Sequence, residues 1–109
     1  MIYLRFTVNN QNWDLVFVKP NSKELVRSDG SITIGMTDNV QKKVFINNRL
    51  SGYMMDKCIA HEMCHVYAFS FDYYMDIETE EIVADFFSLF GRSIVYQLDD
   101  LIKILKRVA

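Results

Sequence analysis

The spacing of apolar residues changes near residue 50 of the chain. Before that point, short segments rich in β-favouring residues alternate with clusters of turn formers, and after it apolar residues recur every three or four positions. A period of two is typical of a strand with one buried face, whereas a period near 3.6 is typical of an amphipathic helix. The sequence therefore predicts a small sheet followed by helices, which is an α+β fold.

The first half of the chain predicts four strands in a mainly antiparallel sheet. Residues 2–8 alternate apolar and polar side chains and should form a hairpin with residues 13–18 across an asparagine-rich turn. After a break at Pro20, a third strand is expected at residues 32–36. A fourth strand at residues 44–46 should pair with the third.

The second half predicts two or three helices. The first should start near Ser51 and run for about five turns. Thr79 is a candidate N-cap for the next helix, since acidic residues follow it. Its apolar face would comprise Ile82, Phe86, Leu89 and Phe90. The same periodicity continues to Val108, so Gly91 either separates two helices or lies within one long helix.

Composition narrows the class of protein. The chain has 109 residues, of which 50% are hydrophobic, and only one proline, so we expect a single packed domain over residues 1–109. Twelve basic and fourteen acidic residues give a net charge of −2, and the acidic residues are concentrated in the second half. Because no basic face is evident, nucleic acid is not expected as a partner.

The sequence also indicates in which cellular compartment the protein is expected. No apolar stretch approaches the roughly 20 residues that span a bilayer, so no membrane association is expected. The N-terminus lacks the pattern of a signal peptide, because Arg5 interrupts its apolar residues. Two cysteines, Cys58 and Cys64, are too few for a disulfide scaffold, and we expect both to be reduced. A cytoplasmic protein is the resulting expectation.

Both histidines of the chain lie in the segment His61-Glu62-Met63-Cys64-His65. On a helix, residues four apart share a face, so the two imidazoles can bind one metal ion. Glu62 lies about 100° around the helix from His61, which places its carboxylate beside the metal. The spacing predicts a zinc site formed by His61 and His65, with Glu62 as the general base for an attacking water molecule.

Two imidazoles hold zinc weakly, and a catalytic site needs a third ligand and an open position for water. We expect Glu81 to be that ligand, because the segment after His65 is long enough to reverse the chain and bring a second helix across the first. Glu78 and Glu80 are the alternatives. Asp85, one turn after Glu81, is expected to accept a hydrogen bond from the other nitrogen of a ligating imidazole.

The chain resembles the zincin metallopeptidases, since residues 61–65 match His-Glu-x-x-His and residues 81–85 match the Glu-x-x-x-Asp motif of their glutamate-liganded branch. It is most similar to the minimal zincins of phages and mobile elements, including ImmA/IrrE-like peptidases, whose second motif reads Glu-x-x-Ala-Asp-x-Phe. Phe87 completes that motif. The resemblance covers about residues 30 to 105 and implies a zincin-like fold, a Zn²⁺ cofactor and a phage or prophage origin.

The resemblance also implies how a substrate would bind. In that family an extended peptide lies along a sheet edge above the metal helix, which here would be the third or fourth strand. Zincins commonly use a tyrosine, histidine or arginine to help stabilise the oxyanion, and this chain has no third histidine. The candidates are Tyr53, Tyr67, Tyr73, Tyr74 and Arg92.

Together these patterns favour an enzyme, a zinc-dependent peptidase that hydrolyses a protein or peptide. One alternative is a non-catalytic regulatory or protein-binding module in which zinc is structural. Another is a hydrolase of a non-peptide amide, which would use the same water chemistry. The presence of Glu62 favours an enzyme, because a purely structural site would not need a general base.

Overall fold

The computed structural model describes residues 3–108, which form a four-stranded sheet, one 3-10 helix at Lys23–Leu25 and two α-helices. In chain order the strands and helices are β1 (Tyr3–Val8), β2 (Gln11–Val18), β3 (Gly35–Asp38), β4 (Lys43–Asn47), α1 (Gly52–Ser70) and α2 (Ile77–Val108). This arrangement confirms the predicted α+β class. Ile2, predicted as the first residue of the first strand, lies outside the described residues.

The sheet has the strand order β1-β2-β4-β3. β1 and β2 form the predicted antiparallel hairpin, whose turn residues Asn9 and Asn10 have φ of 48° and 63°, a conformation that asparagine tolerates. β3 and β4 are antiparallel, also as predicted. The central pair, β2 and β4, is parallel, because the chain crosses over after β2 and forms the edge strand β3 before it returns as β4.

The third strand lies later in the chain than predicted. It begins at Gly35 and ends at Asp38, whereas residues 32–36 were the expectation. Ile32 instead forms an isolated bridge with Val26, and the Thr33 amide donates a hydrogen bond of 2.8 Å to the Leu25 carbonyl. This segment therefore pairs first with the chain after the 3-10 helix and joins the sheet only from Gly35 onward.

Both faces of the sheet are covered. One face packs on α1, and its buried cluster comprises Val8, Trp13, Leu15, Val44, Ile46, Cys58 and Val66. The other face packs on the 3-10 helix around Leu25. The Trp13 indole donates a buried hydrogen bond of 2.9 Å to the Ser70 hydroxyl, which joins β2 to the last turn of α1. The predicted core face of β1 is only partly right, because Leu4 is exposed.

α2 is one continuous helix of 32 residues that passes through Gly91 without a break. It begins at Ile77, because the Asp76 carboxylate accepts a hydrogen bond of 2.8 Å from the Thr79 amide. Asp76 therefore has the capping role predicted for Thr79. Within residues 3–108, neither helix is both long and apolar enough to cross a lipid bilayer.

The side of α2 that contacts α1 differs from the predicted face. Glu80, Ala84 and Gly91 are buried there. The predicted apolar residues are instead exposed, by 49–69%, namely Ile82, Phe86, Leu89 and Phe90. The observed contact face differs from the predicted one because it includes Glu80, which is buried in contact with His65 on α1. Hydrophobicity alone assigns a glutamate to the surface.

Candidate metal centre

The two histidines lie on the face of α1 that is turned toward the beginning of α2. Their spacing within one helix places the Nε2 atoms of His61 and His65 only 3.4 Å apart. His65 is buried, whereas His61 is partly exposed. The pair thus forms a shallow site that solvent reaches from one side.

Glu81 completes this cluster from α2. One of its carboxylate oxygens lies 3.1 Å from His61 Nε2, and the other lies 3.0 Å from His65 Nε2. Ligand atoms of all three residues lie within 4.8 Å of one another. Of the three glutamates considered, Glu81 is the one beside both Nε2 atoms, whereas Glu78 is exposed.

Two further carboxylates contact the opposite edges of the imidazole rings. Asp85 Oδ1 lies 2.9 Å from His61 Nδ1, as its spacing from Glu81 suggested. Glu80 Oε2 contacts His65 Nδ1, and both side chains of that pair are buried. When each Nδ1–H donates to its carboxylate, each Nε2 presents a lone pair toward Glu81.

The contact of Glu80 with His65 was missed from the sequence, where Glu80 was only an alternative metal ligand. A signal was present, because Glu80 lies four residues before Ala84 and therefore on the same side of the helix. A charged residue on the side of a helix that packs against another element is expected to have a buried partner.

The donor set fits a zinc ion. Two imidazole nitrogens and a carboxylate facing one another are three electron-pair donors, which a cation between them would stabilise. Ligand atoms held at about 2.0–2.1 Å from zinc in a tetrahedron lie about 3.3 Å from each other. The two Nε2 atoms are 3.4 Å apart, which matches that spacing, and each lies 3.0–3.1 Å from a different oxygen of the Glu81 carboxylate. With one oxygen counted for Glu81, the three ligand atoms lie within 4.8 Å of one another.

Glu62 is buried between α1 and the edge strand β3. The Thr37 hydroxyl donates a hydrogen bond of 2.9 Å to Glu62 Oε1. Burial raises the pKa of the Glu62 carboxyl above its ordinary value, and the hydrogen bond from Thr37 opposes that change. The side chain is thereby held in one orientation, in an environment that favours uptake of a proton.

Gly35 allows β3 to approach Glu62 closely. A Cβ atom at this position would lie 2.7 Å from Cys58 Sγ and 3.1 Å from Glu62 Cγ, which is too close for either neighbour to stay in place. The resemblance to zincins placed Gly35 and Thr37 in the edge-strand region before the metal helix, but their contacts with Glu62 were not predicted from the sequence. Their contacts join residues about 25 positions apart, and local periodicity carries no signal for such pairs.

A cavity of about 510 Å³ opens beside the cluster. It is lined by β3, α1, the beginning of α2 and the side chain of Arg27. None of the five candidates for oxyanion stabilisation is among its described lining residues, and one of them, Arg92, instead pairs with Asp56 at 3.2 Å. Arg27, which the sequence did not single out, is the cationic side chain found at this cavity.

The two cysteines lie outside the cluster. Burial raises the pKa of the Cys58 thiol to about 12, and burial also raises the pKa of Cys64. Both are free thiols. Cys64 lines a larger apolar cavity of about 950 Å³ between the two helices, which does not include the histidines. With thiolate formation disfavoured, neither cysteine is suited to compete for a metal ion.

Comparisons of the chain with protein-family models, with curated proteins and with solved structures found no match. The case for a function therefore depends on the residues and geometry of this chain.

Proposed function

We propose that the protein is a zinc-dependent peptidase in which His61, His65 and Glu81 hold the metal ion and Glu62 is the general base. One observation carries the proposal, namely the convergence of three electron-pair donors from two helices, with a carboxylate behind each imidazole ring. Two nitrogens and one oxygen are also the ligand set of many catalytic zinc sites, which keep a fourth position open.

Glu62 would carry out the proton transfers of the reaction. Zinc bound by these residues would lower the pKa of a water molecule and polarise the carbonyl group of the substrate. Glu62 accepts the proton of the water as its oxygen forms a bond to the carbonyl carbon. The same carboxyl then donates this proton to the amine as the C–N bond breaks. Thr37 orients Glu62, and the raised pKa of Glu62 makes its carboxylate a stronger base.

A peptide is the substrate that the surroundings favour. β3 is an edge strand of the sheet, and its residues Gly35, Met36 and Thr37 line the cavity beside the histidines. An extended peptide could pair with the free edge of β3 and present a carbonyl group to the site. The similarity to the zincins supports the same substrate class, and we propose the cytoplasm as the compartment.

Metal stoichiometry tests the ligand set. After equilibrium dialysis, mass spectrometry of the metal should find about one zinc per wild-type chain. His65→Ala and Glu81→Ala should lose it, whereas the exposed control Glu78→Ala should retain it. Wild-type affinity in Glu81→Ala would contradict the proposed third ligand.

Turnover tests the reaction itself. A diverse peptide library incubated with the zinc-loaded protein should yield cleavage products by mass spectrometry. Glu62→Gln should keep the zinc and lower the cleavage rate by about 10²–10⁴-fold, the usual contribution of a general base. If the zinc-loaded wild type cleaves no peptide, the peptidase proposal fails and a non-catalytic zinc module is the better account.

A further inference from the structure

A second cavity adjoins the one at the metal centre. It has a volume of about 360 Å³, and Phe69, Ile77 and Glu80 belong to the walls of both cavities. The cavity at the metal centre is lined by β3 itself, whereas the second one reaches Asn39, the residue that follows β3. Together the two cavities form one cleft along this edge strand.

Arg27 lies at the opposite end of the cleft, beside the beginning of β3. Its guanidinium donates a hydrogen bond of 3.3 Å to the hydroxyl of Thr33, which is two residues before the first residue of β3. The Arg27 amide donates a hydrogen bond of 2.8 Å to the Ser31 carbonyl, and the Gly30 amide donates one of 2.9 Å to the Arg27 carbonyl. These bonds close the turn that carries Arg27 and fix its place in the wall.

The guanidinium of Arg27 is available to an anion. Among residues 3–108, no carboxylate is in ion-pair contact with it, whereas Arg5 and Arg92 each pair with an aspartate. Asp29 lies in the same turn, but its Oδ1 accepts hydrogen bonds from the amide and the hydroxyl of Ser31. A carboxylate beside Arg27 would therefore accept charge-assisted hydrogen bonds that no described residue supplies.

The second cavity has the opposite character. Its walls include large apolar and aromatic side chains, among them Tyr73, Met75 and Ile77. Within the part of the chain that the structure describes, the charged residues of these walls are Asp72 and Glu80, both of which are acidic. An apolar side chain gains free energy by burial there, whereas a carboxylate would be repelled.

Strand pairing relates these two ends to the direction of a peptide. An extended peptide that pairs with β3 can run parallel or antiparallel to it. Antiparallel pairing is the more stable and more frequent arrangement. In that arrangement the part of the peptide after the cleaved bond runs toward Arg27, and the part before it runs toward the second cavity.

We infer that the cleft selects peptides with a large apolar side chain before the cleaved bond and a carboxylate after it, a selectivity that rests on the proposed peptidase function. Arg27 binds the carboxylate, and the walls around Ile77 hold the apolar side chain. An acidic side chain and the end of the peptide chain present the same carboxylate chemistry, so either one can be the group that Arg27 binds.

Zinc-binding peptide hydroxamates test the end at Arg27 without turnover. A hydroxamate linked to the N-terminus of a dipeptide extends only toward the residues after the cleaved bond. In calorimetry with the zinc-loaded full chain, Glu-Glu amide should bind about three- to tenfold more tightly than Gln-Gln amide. Arg27→Gln should remove this preference. Arg49→Gln, an exposed arginine outside the walls of both cavities, is the matched control and should keep it.

The source of the carboxylate is separated by two further probes of the same series. Ala-Ala with a free C-terminal carboxylate is compared with Ala-Ala amide. A preference for the free carboxylate that exceeds the preference for glutamate identifies the end of the peptide chain as the group at Arg27. The reverse order identifies an acidic side chain.

Hydroxamates at the C-terminus of an acetylated dipeptide test the apolar end, because they extend toward the second cavity. The Phe-Phe probe should bind about tenfold more tightly than the Ser-Ser probe. Ile77→Ser should reduce this preference and leave the preference at Arg27 unchanged. Ile82→Ser is the matched control, because Ile82 is 69% exposed and Ile77 is 68% exposed, but Ile82 is not among the wall residues of either cavity.

Failure of the selectivity is distinguishable from failure of the proposed function. Probes that all bind with affinities equal within about twofold would overturn the selectivity and leave the metal centre intact. A glutamate preference that persists in Arg27→Gln would overturn the role of Arg27. A glutamate preference among C-terminal hydroxamates alone would overturn the antiparallel direction. Binding of no probe to the wild type would contradict the zinc site, and the proposed function would fail together with the selectivity.

Discussion

The two halves of α2 have an apolar or small residue every seven positions, at Ala84, Gly91, Leu98 and Leu105, but these residues have different surroundings. In the first half, Ala84 and Gly91 are buried against α1, and Glu80 contacts His65 within the same interface. In the second half, Leu98 and Leu105 occupy equivalent positions and face solvent. A repeat of this kind shows that a helix has an apolar side, but it does not show which molecule covers that side.

The two halves of α2 also differ in whether they carry residues of the candidate site. The half with small residues at these positions is the half that carries Glu80, Glu81 and Asp85, all of which contact the histidines. Ala84 is small and buried, and the lack of a Cβ at Gly91 leaves room for the ring of Phe87 on the same helix. The carboxylates at the beginning of α2 contact the imidazoles of α1 around this small residue Ala84.

The largest expected difference between the halves concerns folding stability. Ala84→Glu should lower the free energy of unfolding by about 3–5 kcal/mol, because it buries an unpaired charge against α1. The matched variant Leu98→Glu should change it by less than about 0.5 kcal/mol, because the position is exposed. Urea denaturation at low protein concentration measures both values. Equal destabilisation by the two variants would show that the halves are not in different environments.

A smaller effect is expected from the buried carboxylate behind His65. Glu80→Gln keeps the size of the side chain but weakens the hold on His65 Nδ1, and it should lower zinc affinity by about 10–100-fold. Competition with a chromogenic chelator provides the measurement. Glu78→Gln, two residues earlier and exposed, is the control and should bind zinc as the wild type does.

The smallest effect of the series is expected at Asp85. Asp85→Asn removes the corresponding contact with His61, but this carboxylate is largely exposed, so water can replace it. Zinc affinity should fall by less than about tenfold, below the loss in Glu80→Gln. If the chelator competition shows the opposite order, burial is not what makes the contact at Glu80 the stronger of the two.

The sequence predicted those parts of the fold and the candidate site that depend on local spacing. The position of both histidines on one helix face follows from four residues of separation, and the β1–β2 hairpin follows from a short asparagine turn. The pairing of β2 with β4 depends on a crossover through the 3-10 helix, for which the alternation of side chains carries no information.

The unpredicted features share a physical cause. The contacts of Thr37, Gly35 and Glu80 depend on how the strands and helices pack against one another. Hydrophobicity alone assigns Thr37 and Glu80 to the surface. The start of α2 at Ile77 was missed because Asp76 and Thr79 are both good capping residues, and the choice between them depends on the hydrogen bond that forms.

X-ray absorption at the zinc edge tests the proposed metal centre most directly. For the wild-type protein loaded with one equivalent of zinc, we expect only nitrogen and oxygen ligands at about 2.0–2.1 Å, with the multiple-scattering signal of two imidazoles. His65→Ala should remove one imidazole from that signal. A sulfur ligand at about 2.3 Å, or a spectrum unaffected by His65→Ala, would contradict the assignment of His61, His65 and Glu81 as the metal ligands.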